Sequence, residues 1–179
     1  AIIYNNIGDC YRSLKKQKKA LQYLLKGLKV LSLSDEYNYN LSALYCNLGL
    51  VYLDLGELEN AKEYFNKDLD FTLKLYGEIH PDTAISYSNL ANFFTKQGEY
   101  LKALEYDEIA LKIRLAIYNE NHPDIANSYN NIGAIYSDLG DFSKSKLYYR
   151  KSYEILVNIL GVNHPYTKFV IDNISLLDK

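Results

Sequence analysis

No methionine occurs anywhere in the 179 residues, and the chain opens inside an apparent repeat, so the sequence reads as a piece of a longer protein whose address signals lie outside it. Cysteine is scarce as well. Cys10 and Cys46 are too few for a disulfide framework and lack metal-ligand spacing, which points to a reducing compartment. No run approaches the ~18 to 20 apolar residues that cross a bilayer. The opening AIIYNNIGDC is not a basic leader followed by an apolar stretch and a cleavage site. Neither a membrane role nor secretion is indicated, and the expected setting is cytoplasmic. Basic charge is also in short supply. With 20 Lys and Arg against 22 Asp and Glu, the net charge of -2 leaves no cationic face for phosphates, which argues against a nucleic-acid partner. Arg12, Lys15, Lys16, Lys18 and Lys19 form a local basic cluster, read as a solvated turn and helix face.

What the chain does have is apolar content and order. A composition of 48% hydrophobic and 23% charged residues fits a globular chain able to bury a core. His80-Pro81-Asp82 recurs as His122-Pro123-Asp124 and His164-Pro165-Tyr166, each step being 42 residues (122 − 80 and 164 − 122). Asn47, Asn89, Asn131 and Asn173 share that step, with Asn6 one residue closer. Gly56, Gly98 and Gly140 share it too, and Lys15 stands where a first glycine would fall. Between these markers, Tyr87, Leu90, Ala91 and Phe94, then Tyr100, Ala103, Ile109, Ala110 and Ile113, follow the spacing of two amphipathic helices separated by Gly98. Each repeat is therefore a helical hairpin. Gly8, Gly49, Ala91 and Gly133 on the first helices, and Ala20, Ala61, Ala103 and Ser145 on the second, are small where two backbones must approach.

These residues resemble the tetratricopeptide repeat, whose pattern of an aromatic, Leu-Gly, Tyr, Gly, Ala and Ala is matched closely by SYSNLANFFTKQGEYLKALEYDEIALKI. The 42-residue length, with His-Pro-Asp at the boundary, is similar to the repeats of the kinesin light chain family. The resemblance implies an all-α, right-handed superhelical solenoid. One array is expected over 1–179, with repeats at about 1–41, 42–83, 84–125 and 126–167 and a partial fifth helix over 168–179.

The His-Pro-Asp triplet has two sharper readings, the loop of a J-domain co-chaperone and a catalytic or metal-binding cluster. A J domain has no reason to carry three such triplets at a fixed period. Stacked repeats also separate equivalent side chains by about one helix spacing, ~10 Å, too far for convergent chemistry. The reading adopted is structural: Pro at the first helical position and Asp in the first turn start the next hairpin. No metal, cofactor or enzymatic residue set is expected.

The first helix of each hairpin lines the concave face of such a solenoid, the surface these architectures use for binding. The residues placed there are Asn5, Asn6 and Arg12; Asn47 and Asp54; Asn89, Asn92 and Lys96; and Asn127, Asn130, Asn131 and Asp138. Asn6, Asn47, Asn89 and Asn131 form a ladder, and an amide can pair with a peptide's N–H and C=O together without reading its sequence. The alternative is that each Asn bonds the neighbouring helix. The resemblance implies the first use, since kinesin light chain repeats carry groove asparagines that hold cargo peptides. Arg12 and Lys96 face Asp9, Asp54, Asp138 and Asp172, a poor clamp for a C-terminal carboxylate, so an internal or basic segment is the expected partner. The function expected is a non-enzymatic interaction scaffold. A regulatory or sensor segment of a larger signalling or protease-bearing chain is the alternative. The recurring tyrosines are assigned to core and interface positions. Cys10 aligns with Val51, Phe93 and Ile135 and is expected to be buried.

Overall fold

The structure, a computed structural model, describes residues 1–31 and 40–177. Among them every regular element is an α-helix: α1 (Ile2–Ser13), α2 (Gln17–Leu31), α3 (Asn40–Leu55), α4 (Leu58–Tyr76), α5 (Pro81–Lys96), α6 (Tyr100–Ile117), α7 (Pro123–Asp138), α8 (Phe142–Leu160) and α9 (Pro165–Leu176). The expected boundary after the first repeat adjoins residues 32–39, and the expected end of the last helix includes 178–179; both stretches lie outside the described residues. The helices form two compact units, Ala1–Gly77 and Glu78–Lys179.

The turn inside each hairpin is chemically the same four times. Lys15, Gly56, Gly98 and Gly140 all have positive φ, between 56° and 78°. At each, two backbone bonds close the end of the first helix. In the second hairpin Glu57 N–H donates to the Tyr52 carbonyl at 2.9 Å and Gly56 N–H to that of Leu53 at 3.1 Å. Asp141 to Tyr136 and Gly140 to Ser137 repeat the pattern in the fourth. This pair of bonds satisfies carbonyls that the helix end would otherwise orphan, and it demands a left-handed residue, which favours glycine. Lys15 adopts the same conformation with a side chain attached.

The starts of α5, α7 and α9 explain the histidine triplets. Pro81, Pro123 and Pro165 occupy the first turn, and the histidine before each accepts a backbone N–H at its Nδ1: from Asp82 at 3.1 Å, Asp124 at 3.2 Å and Tyr166 at 3.2 Å. The imidazole thus does the work of an N-cap side chain.

Within hairpins, a small residue on the first helix faces a large one on the second. A Cβ on Gly49 would sit 2.6 Å from the Phe65 ring, on Gly8 2.6 Å from Leu24, and on Gly133 2.8 Å from Tyr149. In the first unit, Ala20, Leu24, Leu44, Leu48 and Val51 pack as one core. In the second, Ile125, Ala126, Tyr149, Leu156 and Val170 form another. The recurring tyrosines flank these cores as stacks: Tyr23 lies on Tyr11, Tyr64 on Tyr52, Tyr106 on Phe94 and Tyr148 on Tyr136, with ring centroids 5.3 to 5.5 Å apart. Cys10 departs from its expected burial and is exposed. Its equivalents Val51, Phe93 and Ile135 are buried.

Candidate functional site

In the second unit, the exposed edges of α5 and α7 bound an open concavity of about 400 Å³. Ser88, Asn89, Asn92 and Thr95 come from α5, and Asn131, Ala134 and Ile135 from α7. Positions three and four apart on a helix share a face, which is why the 88-89-92-95 spacing delivers four polar side chains to one wall. Of the groove residues named from sequence, Asn89, Asn92 and Asn131 meet here. Asn127 and Asn130 lie half-buried further along α7. Tyr166 Oη donates to Asn127 Oδ1 at 2.5 Å, while Asn130 Oδ1 is buried without a hydrogen-bond partner. Lys96 and Asp138 are exposed at the helix ends.

The first unit uses its polar residues differently. Asn47 Nδ2 donates to Asn5 Oδ1 at 2.9 Å, so these two amides partly satisfy each other. Arg12 lies 3.3 Å from Asp9 and 3.9 Å from Asp54, and Asn6 is exposed.

The floor of the second-unit concavity is Asp107 of α6, only 2% exposed. Its Oδ1 has no hydrogen-bond partner, and Ser88 hydrogen-bonds to the carboxylate. Burial pushes its carboxyl up to about 7, against the opposing pull of the Ser88 hydrogen bond and the Arg114 charge. Arg114, 7% exposed, does not hydrogen-bond the carboxylate. Its Nη1 donates to Ser88 Oγ at 3.0 Å and to Ser128 Oγ at 2.6 Å, and Ser128 in turn donates to the Asp124 carbonyl at 3.2 Å. Burial lowers the Arg114 pKa, with Asp124 and then Asp107 opposing the shift.

Periodicity alone passes over this network, because the spacing of apolar residues says nothing about a charge among them. The repeat register does carry the signal. Asp107 stands at the position of Leu24, Phe65 and Tyr149, all buried and large, so a carboxylate there breaks a rule the other hairpins keep.

Tetratricopeptide repeat models match residues 1–30, 39–92 and 82–158. The chain belongs to the tetratricopeptide repeat family. No curated protein matches it. Among solved structures, this tetratricopeptide repeat chain is similar to BtubC (BKLC) from P. vanneervenii, with a TM-score of 0.79 at 24% identity over 91% of this chain and 65% of that one. It is also similar to the nearly identical TPR-like repeats of a kinesin light chain from Podosopora anserina, with a TM-score of 0.80 at 16% identity over 97% and 83%. The apo form of RapI gives 0.80 at 21% identity over 99% and 62%. The chain thus spans a little under two thirds of BtubC and RapI. Its all-α fold is built of tetratricopeptide hairpins and is similar to that of the kinesin light chain repeats. Among the described residues no helix is long and apolar enough to cross a membrane, and no group of three His, Cys, Asp or Glu is placed to hold a metal.

Proposed function

We propose that the α5–α7 face binds an extended segment of a protein partner, internal or basic rather than a free C-terminus. Tetratricopeptide repeats commonly serve as protein-interaction scaffolds. The observation that carries the finer reading is the convergence of the Asn89, Asn92 and Asn131 amides on one open concavity with a carboxylate at its floor. An amide presents both donors and an acceptor, the complement of a peptide group. Around this centre, Asn127, Asn130, Lys96 and Asp138 flank the bound segment, while Asn5, Asn6, Arg12, Asn47 and Asp54 form the corresponding polar face of the first unit. The role is non-enzymatic and needs no cofactor, nucleic acid or membrane. The scarcity of cysteine suits a cytoplasmic setting.

The test is a pull-down with the chain, peptide-array mapping of the captured protein, and the Asn89→Ala, Asn131→Ala double variant. Two hydrogen bonds at each of two sites, at ~0.5 to 1.5 kcal/mol apiece, give ~2 to 6 kcal/mol, a loss of roughly thirtyfold or more. Circular dichroism should show native helicity in the variant. A folded variant that binds the mapped peptide with unchanged affinity would rule out the amides as the binding device.

A further inference from the structure

Three hairpins fill the space between their helices with a large apolar side chain set against glycine: Leu24 against Gly8, Phe65 against Gly49, Tyr149 against Gly133. The third hairpin has Ala91 and Asp107 instead, and it is here that the groove deepens into the 400 Å³ concavity. That volume is at the small end of ligand pockets and has room for one long side chain. A buried carboxylate oxygen with no donor is costly, and no group among the described residues supplies that donor. Arg114 neutralises only part of the local charge. Two carboxylates, Asp107 and Asp124, act on one guanidinium, whose Nη1 is committed to Ser88 and Ser128. Above about pH 7, where Asp107 is ionised, the charge at the floor is incompletely balanced, and Asp107 is the one ionisable group among the residues lining the concavity.

From this geometry we propose that Asp107 is the floor of an anchor pocket that takes the cationic end of a lysine or arginine side chain from the bound segment, with Asn89, Asn92 and Asn131 at its mouth. The inference rests on the peptide-groove reading and deepens it by naming the chemistry of the anchoring side chain. With the side chains at the mouth displaced enough to uncover Oδ1, an ammonium or guanidinium group supplies its missing donor and the missing positive charge in one contact, and hydrogen bonds to ionised groups are the strong ones. A neutral side chain of the same length supplies neither.

The probes are n-butylguanidinium and n-butylammonium, which reproduce the ends of the two side chains without a peptide backbone, and n-butanol as the neutral control. Because the probes have no backbone, failure of the anchor and failure of amide capture are read separately. The chain is titrated at fixed ionic strength and mildly alkaline pH, following the side-chain amide signals of Asn89, Asn92 and Asn131 and the Asp107 carboxyl carbon by NMR. Both cations should move these signals with midpoints in the millimolar range, and butanol should not. Asp107→Asn should weaken cation binding at least ~10-fold. A second variant, Ala91→Gly with Asp107→Phe, rebuilds the Gly49–Phe65 pair of the second hairpin; it should stay folded and lose the response altogether. Equal shifts with butanol, shifts undiminished in Asp107→Asn, or no cation-induced shift through the millimolar range would each overturn the proposal.

Discussion

At the scale of single residues, Asp107 makes folding stability depend on pH in an unusual direction. Unfolded, the group releases its proton near 3.8; folded, it holds the proton to about 7. Between those values the folded state binds more protons than the unfolded one, so stability contributed by this group is full below about 4 and is lost as pH rises through about 7. The slope from one group is at most ~1.4 kcal/mol per pH unit. The charges facing it are few: Arg114 on its own helix, with hydroxyl and amide groups but no charge presented by α5 and α7 in the concavity. Asp107→Asn should flatten that part of the profile, measured by urea unfolding across the range; an unchanged profile would assign the slope to other groups. This residue also marks what sequence reading gave up. Asn89, Asn92 and Asn131 were legible because they sit on one helical face at repeat spacing, whereas Asp107 was hidden behind an apolar stripe whose period it interrupts only once. Cys10 failed in the opposite way: register assigned it the buried position of Val51, Phe93 and Ile135, but the structure leaves it exposed.

At the scale of elements, the turn between helices was the most legible feature, because left-handed backbone selects glycine and the glycines repeat. Lys15 is the informative exception. A non-glycine residue in that region carries a penalty of about 1 to 2 kcal/mol, offset in part by glycine's greater freedom when unfolded. Lys15→Gly should therefore raise the stability of the chain by up to about 1 kcal/mol. A thermal melt in which the variant is no more stable than the parent would mean that the lysine stem makes compensating contacts. The histidines that begin α5, α7 and α9 were only half legible. Proline, followed by an acidic residue in α5 and α7, announced a helix start, but the capping bond to Nδ1 depends on a side-chain rotamer that spacing does not encode.

At the scale of the whole molecule, stability in stacked repeats is roughly a sum of repeat and nearest-neighbour terms, so a single core truncation acts through the hole it leaves. Leu90, 1% exposed, should cost ~2 to 5 kcal/mol when changed to alanine. The surface control, Lys102→Ala, removes an ion pair with Glu99 and a contact over the Phe94 ring and should cost about 1 kcal/mol or less. Chemical denaturation of both variants checks the ordering, and a reversal would mean that the helical register is misassigned. The stacked tyrosines carry one more consequence, an optical one. The chain has 19 tyrosines and no tryptophan, and a stacked aromatic pair recurs in all four hairpins. Ultraviolet light at the red edge of protein absorption, where indole absorbs and phenol does not, passes through this scaffold unabsorbed. A tryptophan in any captured peptide would then be the sole emitter in the mixture, and its colour and polarisation would report directly on the surroundings of the bound segment.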